Sequence, residues 1–132
     1  MNRRQFDVMM VLAGAPYSDD SLGTALRTVE QLLARDASVH VWACGFATWL
    51  TQVGEPVKPA GALDWEFSFP SASGVVLEMI NEYPKSLLWT ACRTCSMERR
   101  LTNHAAPVRM RLATQMRRYF DAADKLISVG VV

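Results

Sequence analysis

Residues Phe6 to Ala13 read FDVMMVLA, a short and almost wholly apolar run that stops at Gly14. A continuous apolar run bounded by turn residues marks a strand buried on both faces, which is the situation of a parallel sheet. A loop follows, Gly14 to Asp20, with Pro16, Ser18, Asp19 and Asp20 as turn and capping chemistry. From Ser21 onward, Leu22, Ala25, Leu26, Val29, Leu32 and Leu33 recur at three- and four-residue spacing and make one stripe of an amphipathic helix. Asp36 ends it, and Ser38 to Cys44 (SVHVWAC), rich in β-branched and aromatic residues, predicts a second strand.

Between Gly45 and Ser73 the pattern dissolves, because Gly54, Pro56, Pro59, Gly61 and Pro70 interrupt any period. A short helix is expected over Phe46–Val53 and a long loop after it. Loops of that length are functional or mobile, and Trp49, Trp65, Phe67 and Phe69 need a surface to pack on, either this core or a neighbouring subunit. Gly74 to Tyr83 predicts a helix stopped by Pro84, and Ser86 to Ala91 (SLLWTA) a third buried strand. Met97 to Leu101 fits a helical turn. Pro107 opens a longer predicted helix, with Val108, Leu112, Met116, Tyr119, Phe120 and Ala123 as its apolar stripe and Arg111, Arg117 and Arg118 pointing away. Lys125 to Val132 predicts a last strand. This alternation is that of an α/β protein, a three-layer α/β/α sandwich around a largely parallel sheet. Chemistry in such sheets gathers at the carboxyl ends of strands, where Cys44 and Cys92 both fall.

The 132 residues, 50% apolar and 20% charged, suit one domain spanning residues 1–132 with a real core. The net charge of +1 hides an asymmetry: Met1–Pro84 hold five Lys/Arg against ten Asp/Glu, whereas Lys85–Arg118 hold eight against one. A basic second half attracts anions of several kinds, but few aromatic residues are interleaved for base stacking and no nucleic-acid-binding motif appears, so no nucleic-acid partner is expected. No apolar run approaches the roughly 20 residues that span a bilayer. Asn2-Arg3-Arg4-Gln5-Phe6 with Ala13-Gly14-Ala15 downstream resembles a twin-arginine export signal. Asp7 interrupts the place where its apolar region would begin, and the strand reading is preferred. Three cysteines, an odd number, argue against a secreted disulfide scaffold and for a reducing compartment, the cytoplasm.

Cys92-Arg93-Thr94-Cys95 is a C-x-x-C pair at a strand-to-helix junction. Helical N–H groups beginning near Cys92, with Arg93, Arg99 and Arg100 close by, are expected to favour a thiolate, the species that attacks sulfur. The plainer reading of either cysteine is a small buried hydrophobe. Cys44, Cys92, Cys95 and His104 could in principle supply a Cys₃His zinc set, but the second close pair that makes zinc motifs specific is missing, and no metal is expected. His40, inside a strand, reads as a packed core histidine, and Cys44 as core with a strand-end position in its favour. Asp19 and Asp20 read as helix caps. The Gly14–Asp20 loop lacks both the P-loop ending and the three-glycine dinucleotide spacing, so no cofactor is expected.

Four segments, LAGAPYSDDSLGTALRTVEQLL, VHVWACG, LLWTACRTCSMERR and AADKLISVGVV, resemble in order and spacing the DsrE/DsrF-like family, which includes the TusD-type sulfur-relay proteins. The resemblance implies a cytoplasmic carrier that holds sulfur as a persulfide on Cys92, with Arg99-Arg100 as the family's Arg-rich stretch, sulfur donor and acceptor proteins as partners, and assembly into trimers or hexamers. Two departures stand out: Leu101 occupies a position where a glycine often follows the arginines, and Cys95 is a second thiol that many relatives lack. A C-x-x-C dithiol redox protein, or an oligomeric scaffold without chemistry, are the competing readings.

Overall fold

The computed structural model describes residues 5–15, 20–53 and 71–130. Along the chain run β1 (Phe6–Leu12), α1 (Ser21–Ala34), β2 (Val39–Ala43), a 3₁₀ helix (Gly45–Thr51), α2 (Ala72–Glu82), β3 (Leu87–Cys92), α3 (Arg93–Glu98), β4 (Arg109–Arg111), a 3₁₀ turn (Ala113–Gln115), α4 (Met116–Asp121) and β5 (Ala123–Val129). The five strands form one sheet in the order β4-β3-β2-β1-β5. Every pairing is parallel. The α/β/α sandwich expected from the alternation is the observed fold.

The topology decides which helix covers which face. From β1 to β4 each new strand is added on the same side of the last, and the final crossover returns past β3, β2 and β1 to put β5 on the far edge. Parallel crossovers are right-handed, so reversing the direction of travel moves the covering helix to the opposite face. Helices α1 and α2 accordingly bury Leu22, Ala25, Leu26, Val29, Leu33, Val76, Met79 and Ile80 against Met10, Leu12, Val39, Val41, Ala43, Leu87 and Trp89. Helix α4 packs Met116, Tyr119 and Phe120 on the other face, against Met9, Trp42 and Cys92. The strand period of two sorts the side chains between these faces.

Local chemistry fixes the ends. Helix α1 closes in a paired motif in which the Ala37 and Asp36 amides donate to the Leu32 and Leu33 carbonyls, with Asp36 itself left-handed at φ 65°. Asp20 occupies the N-cap of α1 without a side-chain bond, whereas Ser71 caps α2 by accepting from the Gly74 amide at 3.0 Å. Asp7, the polar interruption in the first apolar run, accepts from the Ser38 amide at 2.8 Å and pins β1 to the start of β2. Gly130 has φ 116°, and a Cβ there would stand 2.0 Å from the Ala13 carbonyl oxygen, so only glycine fits where β5 leaves the sheet.

The last third departs from expectation. In place of one helix from Pro107 the chain makes β4, then a 3₁₀ turn, and only then the six-residue α4. Arg109, Met110 and Arg111 pair with Thr90, Ala91 and Cys92, and this hydrogen bonding to the open edge of β3 overrides the helical stripe. Leu112, a supposed stripe residue, is 44% exposed. Helix α3 begins at Arg93, directly on Cys92 and earlier than the turn expected over Met97–Leu101. The short helix expected over Phe46–Val53 is a 3₁₀ helix. Trp65, Phe67, Phe69 and Asp19 lie outside the described residues. No helix among the described residues is long and apolar enough to cross a membrane.

Candidate functional site

Ala43 of β2 is the register partner of Ala91 of β3, so the next residues along, Cys44 and Cys92, emerge side by side at the carboxyl edge of the sheet. Cys92 ends β3 and is at the same time the N-cap of α3, in extended conformation. Cys95 follows one helical turn later, and both Cys44 and Cys95 pack on the small cluster that contains Cys92. All three are free thiols; Cys92 is buried, at 3% exposure, whereas Cys44 and Cys95 are half-buried. The pair singled out from the sequence is brought together, and a third thiol joins it.

The electrostatics run against the sequence-based expectation. Burial is the largest effect on Cys92 and pushes its thiol up, the Cys95 backbone amide pulls it down, and the neighbouring Cys95 thiol and its charge push it up again. The Thr94 amide adds a smaller downward pull. Cys92 makes no capping bond with its side chain, so these amides act as nearby dipoles. A helix of six residues gives them little reinforcement. The thiolate expected from the helix start and the arginines is therefore outweighed by desolvation. Cys44 is pushed from 9.0 up to about 12, first by burial and then by charge on Cys92 and Cys95. The Trp42 indole N–H opposes this from a fully buried position without forming a hydrogen bond of normal geometry. Charge on Cys92 and Cys95 therefore raises Cys44, and charge on Cys95 raises Cys92.

The three arginines serve different ends. Arg93 is exposed on the first turn of α3. Arg99 folds back on its own helix, donating to the Cys95 carbonyl at 3.2 Å and to Glu98 at 3.5 Å, with its guanidinium 4.7 Å from the Phe46 ring centroid. It ties α3 to the 3₁₀ helix. Arg100 is left-handed at φ 55°; its amide donates to Met97 and that of Leu101 to Ser96, the same closing motif that ends α1. The position that demands a positive φ is Arg100, so the absence of glycine at Leu101 costs nothing in backbone geometry.

A polar lock behind α3 was not legible in the sequence. His104 Nε2 lies 3.0 Å from Ser96 Oγ of α3, and its Nδ1 lies 2.8 Å from Thr51 Oγ1 of the 3₁₀ helix. Gln52 adds a contact to the same ring at 3.1 Å and donates to the Leu101 carbonyl at 2.8 Å. Burial lowers the His104 pKa and favours the neutral imidazole. His104, considered above as a zinc ligand, is turned to these hydroxyls, and among the described residues no group of three or more metal-binding side chains is arranged to hold an ion. His40 is the packed core histidine expected, 2.8 Å from Thr90 Oγ1, with its ring centroid 5.2 Å from Phe6 and 4.8 Å from Tyr119.

The chain matches no protein-family model, and no curated protein matches its sequence. Among solved structures it is similar to the YchN protein of E. coli, with a TM-score of 0.71 and 19% identity over 93% of this chain and 98% of that one. YchN has a DsrE-like fold, and the five-stranded parallel sheet with its flanking helices is that fold here.

Proposed function

We propose that this protein is a cytoplasmic sulfur carrier that accepts sulfane sulfur as a persulfide on Cys92 and passes it to an acceptor thiol. The observation that carries the reading is the convergence of Cys92, Cys95 and Cys44 at the carboxyl edge of a DsrE-like sheet. That edge is where parallel α/β proteins keep their chemistry. Sulfur transfer is the sulfane analogue of thiol–disulfide exchange, in which a thiolate attacks a sulfur and a second thiolate leaves. Protein donors and acceptors would reach the site over Phe46, Trp49 and Met97, which are 48%, 41% and 58% exposed. A homo-oligomer built from trimers, the assembly that the DsrE-like resemblance implies, belongs to the same proposal, and a monomer in sedimentation at micromolar concentration would reject it.

Intact mass after incubation with polysulfide tests the function itself. Wild type gains the mass of sulfur, mapped to Cys92 and removed by prolonged treatment with reductant, and Cys92→Ser retains none after a brief thiol wash. Absence of any uptake by wild type would sink the proposal. One observation favours a second reading, a dithiol redox protein: Cys92 and Cys95 stand on the same first turn of α3 and on the same small cluster. Turnover in a disulfide-reduction assay that vanishes in Cys95→Ser, with no sulfur retained by wild type, would select that reading.

A further inference from the structure

The two thiols of the C-x-x-C pair are not equivalent. Cys92 is 3% exposed, closed in by Met9, Trp42 and the helix that carries Tyr119. Cys95, one turn along α3, is half-buried and lies on the same cluster. A persulfide donor approaching from solvent needs an in-line path to the attacking sulfur, and of the pair Cys95 has the greater opening. Resting on the sulfur-carrier reading, we infer that Cys95 is the thiol that meets the donor and that sulfur then passes inward from Cys95 to Cys92.

The chemistry balances without an added oxidant or reductant. In the first step the Cys95 thiolate bonds to the terminal sulfur of a persulfide donor R–S–SH, the donor S–S bond breaks, and R–S⁻ leaves, giving Cys95–S–SH. In the second, Cys92 Sγ bonds to that terminal sulfur, the Cys95–sulfur bond breaks, and the Cys92 proton passes to Cys95 Sγ, giving Cys92–S–SH and a Cys95 thiol. The sulfane sulfur keeps its oxidation state throughout. Burial gives the hand-off its direction: a thiol whose ionisation is suppressed is a poor leaving group, so sulfur on Cys92 stays there, and bulk reductants reach it slowly. The helix start beneath Cys95 keeps the two sulfurs a single turn apart, and Ser96, held by His104, keeps that turn on the 3₁₀ helix.

The test uses the reduced 132-residue protein. Limiting iodoacetamide near neutral pH, followed by peptide mapping, is expected to label Cys95 before Cys92; labelling of Cys92 first would overturn the inference. Glutathione persulfide is then mixed with wild type and the reaction trapped at increasing times, with sulfur expected on Cys95 early and on Cys92 late. Cys95→Ser should load Cys92 more slowly by about tenfold or more, and Cys92→Ser should load Cys95 but lose the sulfur to added thiol. Sulfur reaching Cys92 in Cys95→Ser at the wild-type rate rejects the hand-off while leaving the carrier reading intact. No sulfur on any cysteine of wild type rejects the carrier reading itself, and the hand-off with it.

Discussion

The two faces of the sheet are built to different standards. Under α1 and α2, helices of 14 and 11 residues, the core is continuous and made of aliphatic side chains with Trp89. Under α4, a six-residue helix with no buried residue of its own, the sheet carries His40, Trp42, Thr90, Cys44 and Cys92 beneath Tyr119 and Phe120. One face holds the fold. The other holds groups that a stability-only design would avoid: a buried histidine beside a buried threonine hydroxyl, and two thiols, Cys44 and Cys92, whose ionisation burial suppresses. Such a division lets one surface tolerate chemistry because the opposite one supplies the packing energy.

The two faces are expected to differ most in what their packing contributes to stability. Leu12 is fully buried on the α1 and α2 face, and Leu12→Ala is expected to cost about 2–5 kcal/mol, the transfer loss plus an unfilled cavity. Met116 on α4 is only half-buried, and Met116→Ala should cost about 1 kcal/mol or less. Urea midpoints measured side by side decide it; equal losses would mean that the α4 face carries as much of the stability as the other.

Thiol reactivity sharpens the same contrast. With its pKa pushed up to about 12, Cys44 carries about a thousandfold less thiolate at neutral pH than an ordinary cysteine. Its alkylation rate in the folded protein should be lower than in urea by about that factor and should rise about tenfold per pH unit up to about pH 10. A folded-state rate within about tenfold of the unfolded one would show that burial does not suppress the ionisation of Cys44.

How much of this was readable in the sequence follows from what each feature depends on. The strands β1, β2 and β3 and the helix α1 announce themselves by local periodicity, and Cys92 falls at the junction that SLLWTA followed by Cys92 implies. Strand β4 was hidden because three residues, Arg-Met-Arg, have no period to read; their conformation comes from the edge of β3, which lies far away in the chain. The burial of Cys92 was left open for a related reason, between an activated thiolate and a small buried hydrophobe. A strand end can be open or closed, and here α4 closes it after the chain has crossed back over the sheet. His104, Ser96 and Thr51 likewise converge from separate segments with no spacing to mark them.

That polar lock is the next place to press. His104→Ala leaves Ser96 and Thr51 hydroxyls without their partner and is expected to cost about 1–3 kcal/mol. The pH dependence has a definite sign. Because the folded His104 pKa lies below the ordinary 6.5, the unfolded chain binds more protons beneath that pH, so this contribution is fully present above about pH 6.5 and declines as the pH falls through the window down to the folded value. Urea midpoints at several pH values should fall on acidification in wild type, and His104→Ala should flatten that part of the curve. An unchanged slope would assign the acid sensitivity to other groups.

The smallest expected effect concerns the end of α3. Arg100 holds a left-handed conformation, φ 55°, that costs a non-glycine residue about 1–2 kcal/mol, while its amide and that of Leu101 close the helix on Met97 and Ser96. Arg100→Gly removes the steric cost and adds flexibility to the unfolded chain, two changes of opposite sign, so the net gain is expected to be about 0.5–1 kcal/mol. Arg100→Ala keeps the side-chain truncation but not the glycine conformation, and should show no gain. If glycine stabilises and alanine does not, the residue is a helix terminator whose charge is dispensable for folding, and any effect of Arg100→Gly on sulfur loading is then attributable to the lost guanidinium. If both variants destabilise equally, the side chain itself holds α3 in place, and the thiol edge of the sheet depends on its arginines for structure as well.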